Sequence, residues 1–141
     1  PRSKKRLVES GFKLDKRVFC HDPLGFFDYN QLQLNAMAVI SDSGTLPEES
    51  AFFAKIGKPF PAVCIRTSTE RPEAMEKGIF VLAGVDKKSL LQAFELAIEM
   101  HNNQDVGDLV FDYCDENVSN KVIKIIQSYT NIVNKFVWRK N

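Results

Sequence analysis

Residues 36–50 read A-M-A-V-I-S-D-S-G-T-L-P-E-E-S and contain three kinds of segment in succession. The run Ala36–Ser41 is apolar without alternation, which is typical of a strand covered on both faces of a parallel sheet. A polar turn with a glycine follows it, and a helix is predicted over Glu48–Ile56, ended by Gly57 and Pro59. Strand, tight turn and helix in this order predict one unit of an α/β fold.

The same alternation of apolar runs and helical patterns extends in both directions from this stretch. Further strands are predicted at Val18–Cys20, Ala62–Ile65 and Ile79–Leu82, and further helices at Ser3–Ser10, Asp28–Asn35 and Lys87–His101. Such a repeat predicts right-handed crossovers and an α/β, Rossmann-like, doubly wound parallel sheet. Ligands of these sheets bind outside the carboxyl ends of the strands, so we expect the functional residues just after each strand.

The last segment, Glu116–Arg139, is predicted to be one long amphipathic helix. Its apolar residues recur every three or four positions, at Val118, Val122, Ile125, Ile126, Tyr129, Ile132, Val133 and Phe136. We expect residues 1–115 to form a ligand-binding domain and residues 116–141 to dock on a further domain, since a helix this long after the last αβ unit usually packs on more than its own sheet. The opening Pro1-Arg2-Ser3 is also typical of a piece of a longer chain. The alternative is a helix that closes its own domain.

Composition and cysteine spacing exclude several classes of function. The 141 residues are 44% hydrophobic and 26% charged with a formal net charge of +1, so neither a nucleic-acid nor a membrane partner is expected. No signal peptide or membrane-spanning run is visible. Cys20, Cys64 and Cys114 stand far apart, which favours reduced, buried thiols in a cytoplasmic protein over disulfides or a zinc site. With only His21 and His101 to add, we expect no metal and no cofactor.

The turn after the strand 36–41 has the composition of an anion-binding loop. Backbone N–H groups at a helix start can bind a phosphate, and Gly44 would allow a close approach because no Cβ stands in the way. Ser43 and Thr45 add hydroxyl donors. The structural alternative is a well-capped helix, since Thr45 and Glu48 have the spacing of a capping box and Pro47 suits a first turn.

Glu49 favours a ligand over a cap. A carboxylate one residue beyond the capping box is not needed for capping and would repel a phosphate. It would instead accept hydrogen bonds from two ribose hydroxyls, as acidic residues do in dinucleotide sites. The alternative is a favourable charge at the positive end of the helix, worth about 0.3–1 kcal/mol.

The loop after the next strand repeats this design in residues 65–74, I-R-T-S-T-E-R-P-E-A. Arg66 and Arg71 follow the carboxyl end of the strand, where a diphosphate would lie, and guanidinium groups offer paired donors to phosphate. Thr69 is predicted to cap the helix that Pro72 opens. The alternative is an ion-pair network among Arg66, Glu70, Arg71 and Glu73.

Two features of the first thirty residues leave a structural and a functional interpretation open. The aromatic segment around Phe26 and Phe27 is either core packing or a shelf for a nucleobase. A basic cluster is either a solvated helix face or a phosphate-facing edge, and its members are Arg2, Lys4, Lys5 and Arg6.

Three segments together resemble the non-hydrolysing UDP-N-acetylglucosamine 2-epimerase family. They are D-S-G-T-L-P-E-E-S at 42–50, G-K-P at 57–59 and R-T-S-T-E-R-P-E-A at 66–74, in which E-R-P-E is particularly specific. The resemblance implies a glycosyltransferase-B-like fold of two domains with the active site in the cleft between them. This chain resembles the C-terminal domain.

The resemblance also implies a UDP-N-acetylhexosamine as the ligand and a role for each loop. The D-S-G turn would hold the diphosphate, Glu49 would bind the ribose hydroxyls, and the aromatic segment would contact uracil largely through its backbone. The arginines lie in the family's second loop. The substrate-binding residues would then be Phe26, Phe27, Ser43, Gly44, Thr45, Glu49, Arg66 and Arg71.

Two departures from the commoner family pattern indicate a subgroup. Thr45 and Pro47 stand where that pattern has a second glycine and a glutamine. The sequence is here more similar to the subgroup that makes UDP-N-acetyl-L-fucosamine for capsule and O-antigen. Residues 116–130 and the closing V-W-R-K at 137–140 resemble the same subgroup.

The reaction that the resemblance implies removes the C2 proton of the sugar while UDP leaves C1. The resulting glycal then takes UDP back with the opposite configuration at C2. The family's proton-transferring carboxylates belong to the N-terminal domain and its histidine to a position before Pro1, so we expect no catalytic residue here and UDP binding without turnover. Whether the parent is a homodimer stays open. The alternatives are the C-terminal domain of a UDP-sugar-dependent glycosyltransferase and a non-catalytic interaction module.

Overall fold

The computed structural model describes residues 2–140, with side chains from residue 4 onward; Pro1 and Asn141 lie outside the described residues. The chain divides into two compact units, residues 1–32 and residues 33–141. The helices are α1 Arg2–Glu9, α2 Phe26–Asn35, α3 Leu46–Lys55, α4 Pro72–Glu76, α5 Lys87–Asn102 and α6 Val118–Phe136. The strands are β1 Val39–Ser41, β2 Ala62–Cys64 and β3 Val81–Leu82, and a 3-10 turn spans Phe111–Tyr113.

In the first unit, α1 confirms the helix predicted over residues 3–10. Lys4, Lys5 and Arg6 are exposed. Lys4 pairs with Asp22 at 3.5 Å, and Lys5 pairs with Glu9 at 3.7 Å. The described part of the basic cluster is therefore a solvated helix face. The side chain of Arg2 lies outside the described residues.

The strand predicted at Val18–Cys20 is wrong. Asp15 forms a local turn there, because its carboxylate accepts hydrogen bonds from the backbone N–H and the Nε of Arg17, at 2.9 and 2.8 Å. Val18 N–H then donates to the Asp15 carbonyl at 2.9 Å. Such side chain–backbone bonds compete with strand pairing. Phe19 is 79% exposed and Cys20 is exposed too, so the expectation of a buried Cys20 thiol is also wrong.

In the second unit, three parallel strands form a sheet in the order β1-β2-β3. Val39 pairs with Ala62 and Val63 with Val81. The strands predicted around residues 36–41, 62–65 and 79–82 are confirmed, each shorter than its apolar run. Because the strands are parallel, their carboxyl ends reach the same edge: the N–H of Ile65 donates to the Ser41 carbonyl at 2.9 Å.

Helices cover both faces of this sheet, as the unbroken apolar runs predict. Successive residues of a strand point to opposite faces. Ala62 and Cys64 belong to the core cluster that contains residues of α3 and α4, such as Phe53 and Ala74. Val63 belongs instead to the cluster with α5. Cys64 is 1% exposed, and this burial raises the pKa of its thiol.

The last two helices confirm the predictions for residues 87–101 and 116–139. Asp86 caps α5 by accepting hydrogen bonds from the N–H groups of Lys88 and Ser89, both at 3.0 Å. In α6, whose 19 residues are all described, none is buried. Within residues 2–140 no helix is both long and apolar enough to cross a membrane.

Candidate functional site

The candidate site is built on the turn between β1 and α3. Ser43 N–H donates to the Ser41 hydroxyl at 3.0 Å, and Thr45 N–H donates to the Ser43 hydroxyl at 3.2 Å. The hydroxyls of Ser43 and Thr45 are 2.9 Å apart. These bonds fold residues 41–45 tightly onto the start of α3, where helix N–H groups and the helix dipole favour an anion.

Glu49 lies one turn into α3, where two donors fix its carboxylate. The Thr45 hydroxyl donates to Oε1 at 2.9 Å, and the Gln33 amide donates to Oε2 at 2.6 Å. Glu49 is partly buried. An ionised carboxylate has about four lone-pair positions, so both oxygens retain acceptor capacity after these bonds form.

The capping box predicted for Thr45 and Glu48 is wrong. Thr45 does stand at the N-cap position, but its hydroxyl bonds Glu49. Glu48 bonds the guanidinium of Arg71, whose Nε and NH2 groups both lie 2.5 Å from Glu48 Oε1. A tertiary ion pair therefore replaces the local cap. It joins the start of α3 to the loop after β2.

Arg66 lies over the turn, as the position of Gly44 shows. A Cβ placed on Gly44 would stand 3.4 Å from the NH1 group of Arg66 and 3.6 Å from Oε2 of Glu70. Arg66 binds Glu70 through two N–H groups, NH1 to Oε2 at 2.6 Å and NH2 to Oε1 at 2.9 Å. This guanidinium lowers the pKa of the Glu70 carboxyl.

The remaining carboxylate of the second loop has a different partner from the one expected. Glu73 accepts a hydrogen bond from the Tyr113 hydroxyl, which lowers the pKa of Glu73. The pKa of the Tyr113 hydroxyl is raised mainly by burial and secondly by this hydrogen bond to Glu73. The predicted network of Arg66, Glu70, Arg71 and Glu73 is therefore divided into separate pairs.

Thr69 and Pro72 differ in how far they follow the prediction. Pro72 opens α4, as expected. Arg71, however, occupies the N-cap position, and the Thr69 hydroxyl accepts the N–H of Arg71 at 3.0 Å. Thr69 therefore stabilises the turn before the helix and does not cap its first N–H groups.

Phe26 and Phe27 begin α2 and belong to the first unit. They are 75% and 82% exposed, with ring centroids 5.6 Å apart in an edge-to-face arrangement. Their alternative role in core packing is therefore wrong. Contact with a base stays a prediction.

The structure thus brings together the predicted residues of both loops, Ser43, Gly44, Thr45, Glu49, Arg66 and Arg71. The alternative ion-pair network correctly paired Glu70 with Arg66, but sequence reasoning missed Gln33 as the partner of Glu49 and Glu48 as the partner of Arg71. A polar residue in an apolar helical pattern was the available signal for Gln33, which is 2% exposed in an otherwise open α2. The turn and the arginines provide hydrogen-bond donors for an oxyanion. Glu49 provides one fixed carboxylate that can accept hydrogen bonds from hydroxyl groups.

Comparison with known proteins decides the family. The family model described as UDP-N-acetylglucosamine 2-epimerase matches residues 1–127. The chain belongs to the UDP-N-acetylglucosamine 2-epimerase family.

Individual epimerase relatives agree with this membership. The UDP-N-acetylglucosamine 2-epimerase of Methanocaldococcus jannaschii is 33% identical over 107 residues, which cover 73% of this chain and 28% of that protein. The one from Methanococcus maripaludis is 34% identical over 114 residues, covering 77% and 30%. The solved structure of UDP-N-acetylglucosamine 2-epimerase from Rickettsia bellii has a TM-score of 0.82 and 36% identity, covering 99% of this chain and 38% of that chain. The chain therefore spans 28–38% of the length of these epimerases.

Proposed function

We propose that this chain is the UDP-binding domain of a UDP-N-acetylhexosamine 2-epimerase. The main observation behind the proposal is that Gly44, Arg66 and Glu49 lie close together. They lie at the start of α3, at the carboxyl edge of the sheet. This edge is where α/β sheets bind their ligands. Family membership supplies UDP as the nucleotide to test.

In this proposal the diphosphate binds at residues 43–45 beneath Arg66. The helix start supplies N–H groups and Ser43 supplies its hydroxyl, while the Thr45 hydroxyl stays on Glu49 and holds that carboxylate beside the diphosphate. A guanidinium binds phosphate with paired donors and keeps its charge. Gly44 is suited to this place because a side chain there would point at Arg66 and into the space that the phosphate needs.

The ribose hydroxyls are proposed to bind Glu49. Gln33 and Thr45 already hold its two oxygens, so the carboxylate needs no reorientation to accept two further hydrogen bonds. Arg71 is a positioning residue in this proposal, since its bond to Glu48 fixes the second loop against α3. The exposed Phe26–Phe27 segment would contact uracil.

The proposed reaction of the whole enzyme is epimerisation at C2. The C2 proton is removed as the C1–oxygen bond to UDP breaks, which gives a glycal and UDP. UDP then re-forms its bond to C1, and a proton returns to C2 on the other face. The donors at Ser43, Gly44, Thr45 and Arg66 would hold UDP and stabilise the charge on the leaving diphosphate.

The carboxylates that move the proton would lie in an N-terminal domain. The relatives contain about three times the length matched here, which leaves room for such a domain. The exposed apolar stripe of α6 is proposed to pack on it. A cytoplasmic enzyme is proposed, with UDP-N-acetyl-L-fucosamine synthesis for capsule or O-antigen as the finer assignment, supported by Thr45 and Pro47.

Calorimetric titration of UDP into this chain tests the proposal. We expect binding, weakened about tenfold in Ser43→Ala, which loses a hydrogen bond to a charged ligand, and more in Glu49→Ala, which loses two. Gly44→Ala should also weaken binding. Its new methyl meets only side-chain ends, Arg66 NH1 at 3.4 Å and Glu70 Oε2 at 3.6 Å, so we expect the fold to stay intact.

Glu76→Gln is the matched control, because it removes one exposed carboxylate from α4 away from these contacts. Its UDP affinity should equal that of the parent chain. Binding that none of the three site changes weakens would place UDP elsewhere and contradict the proposal. Epimerisation by this chain alone would contradict the expected absence of its catalytic carboxylates.

A further inference from the structure

Glu70 lies at the position that the proposed site reserves for phosphate. Its Oε2 atom is 3.6 Å from where a Cβ would stand on Gly44, on the side of the turn that Arg66 also faces. A carboxylate oxygen and a guanidinium therefore share the space directly above the glycine. This inference rests on the proposed function, because it concerns the occupancy of that same space.

The Arg66–Glu70 pair uses the donors that a phosphate would use. Two N–H groups on the two terminal nitrogens of Arg66 bind the two oxygens of Glu70, at 2.6 and 2.9 Å. Guanidinium groups bind phosphate through the same forked arrangement. A diphosphate and Glu70 cannot take these two N–H groups at once, and their like charges repel each other across the site.

The side chain of Glu70 can rotate away from Arg66 without any movement of the loop backbone. The side chain is 61% exposed and that of Arg66 is 30% exposed, and exposed ion pairs add little stability. The backbone of Glu70 is held separately, since its carbonyl accepts a hydrogen bond from Arg71 NH1 at 3.0 Å. Arg71 in turn is fixed by Glu48. Rotation of one side chain therefore frees Arg66.

Glu49 shows the opposite arrangement in the same site. Both of its oxygens are held by Gln33 and Thr45, and it is partly buried, so it is set in one orientation. Glu70 is instead exposed, and among the described residues the side chain that its carboxylate bonds is that of Arg66, itself a candidate ligand-binding group. The two carboxylates are thus built for different tasks.

We infer that Glu70 is an internal competitor of the nucleotide diphosphate for Arg66. Its carboxylate holds the guanidinium over Gly44 and exchanges with the phosphates when the nucleotide binds. Only molecules in which Arg66 is free of Glu70 bind the diphosphate fully. The apparent affinity for UDP is therefore the intrinsic affinity multiplied by the fraction of such molecules. Glu70 thereby sets how readily the site releases UDP.

Titration of UDP into the Glu70→Gln variant tests this inference. The amide keeps the size of the side chain but loses the charge and the second acceptor oxygen, so we expect UDP to bind about five- to tenfold more tightly. Uridine, which has no phosphate, should bind both proteins equally. In the Arg66→Ala background, Glu70→Gln should give a clearly smaller gain, because only the repulsion between Glu70 and the phosphates is then removed.

The Glu76→Gln variant controls for a general change in charge and should leave UDP affinity unchanged. Unchanged or weaker binding in Glu70→Gln, or an equal gain in Glu76→Gln or with uridine, would overturn the inference while leaving the proposed function in place. Lack of UDP binding by the parent chain and every variant would overturn both. A gain that is confined to Glu70→Gln and to UDP, and that is larger in the chain with Arg66 than in the Arg66→Ala background, would support the inference.

Discussion

α5 and α6 have similar apolar stripes, but the structure places the two stripes in different surroundings. In α5, Ala93 and Ala97 are buried and pack in one cluster with Val63 of the sheet. In α6, Ile126 is 55% exposed and Phe136 is 71% exposed. Periodicity therefore identifies an apolar face of a helix without identifying what covers it.

The two helices also differ in the size of the side chains on their apolar faces. In α5 the larger Leu91 is 50% exposed, whereas the small Ala93 is 6% exposed. Small side chains let a helix approach a sheet closely, but they contribute little to a hydrophobic pattern. The large residues of α6 instead form a wide surface, suited to a partner of its own.

The largest expected effect is that of Ala97→Asp in α5. Ala97 is 7% exposed, so the carboxylate would be buried against the sheet, which costs several kcal/mol. We expect the free energy of unfolding to fall by at least about 3 kcal/mol in urea denaturation. Leu96→Asp is the matched control on the same helix, at a position 47% exposed, and should cost far less. Equal losses would mean that the α5 contact with the sheet is not what stabilises this unit.

A smaller loss is expected from Gly107→Ala in the segment between the two helices. Gly107 has φ +81°, and its added Cβ would stand 2.6 Å from the Lys77 carbonyl oxygen. We expect a cost of about 2–3 kcal/mol, measured in the same denaturation experiment. Gly84 has a similar φ of +71° with nothing within 4 Å of its Cβ position among the described residues, so Gly84→Ala reports the cost of the dihedral alone. A larger loss in Gly84→Ala would contradict this account.

Removal of the α5 cap should have a modest effect that depends on pH. Hydrogen bonds from Ser89, and then from Lys88, lower the pKa of Asp86 below its ordinary 3.8. The contribution of Asp86 is therefore present above pH 3.8 and lost as pH falls through the lower pKa of the folded state. Asp86→Ala should lower the melting temperature by a few degrees at pH 7, about the loss of one N-cap, and by less at pH 3. A difference that grows in acid would be incompatible with the cap.

The smallest effect is expected from Ile126→Asp in α6. Ile126 is 55% exposed, so the stability of this chain should change by no more than about 0.5 kcal/mol. In a full-length enzyme the same change should weaken packing against the proposed N-terminal domain. A loss of several kcal/mol in this chain by itself would show that α6 is part of its core, which would remove the contrast with α5.

Whether each strand was predicted correctly depends on how far an apolar pattern, rather than side-chain hydrogen bonding, sets its structure. The strand at 39–41 was predictable because an apolar run ended at a polar turn, and the parallel sheet then brought the loops after β1 and β2 to one edge. The strand at 18–20 failed because Asp15 and Arg17 form a local turn that hydropathy does not reveal. Apolar periodicity reports burial, whereas side-chain hydrogen bonds report geometry.

Local spacing and short apolar runs were enough to predict the α/β order, the parallel sheet, and the residues of the turn and second loop. The partners of these residues depend on the fold: Gln33 meets Glu49, Glu48 meets Arg71 and Glu73 meets Tyr113, pairs that lie 16, 23 and 40 residues apart. A carboxylate bonds the nearest well-oriented donor, and packing sets that distance. The sequence names the charged groups, but the fold chooses which of them meet.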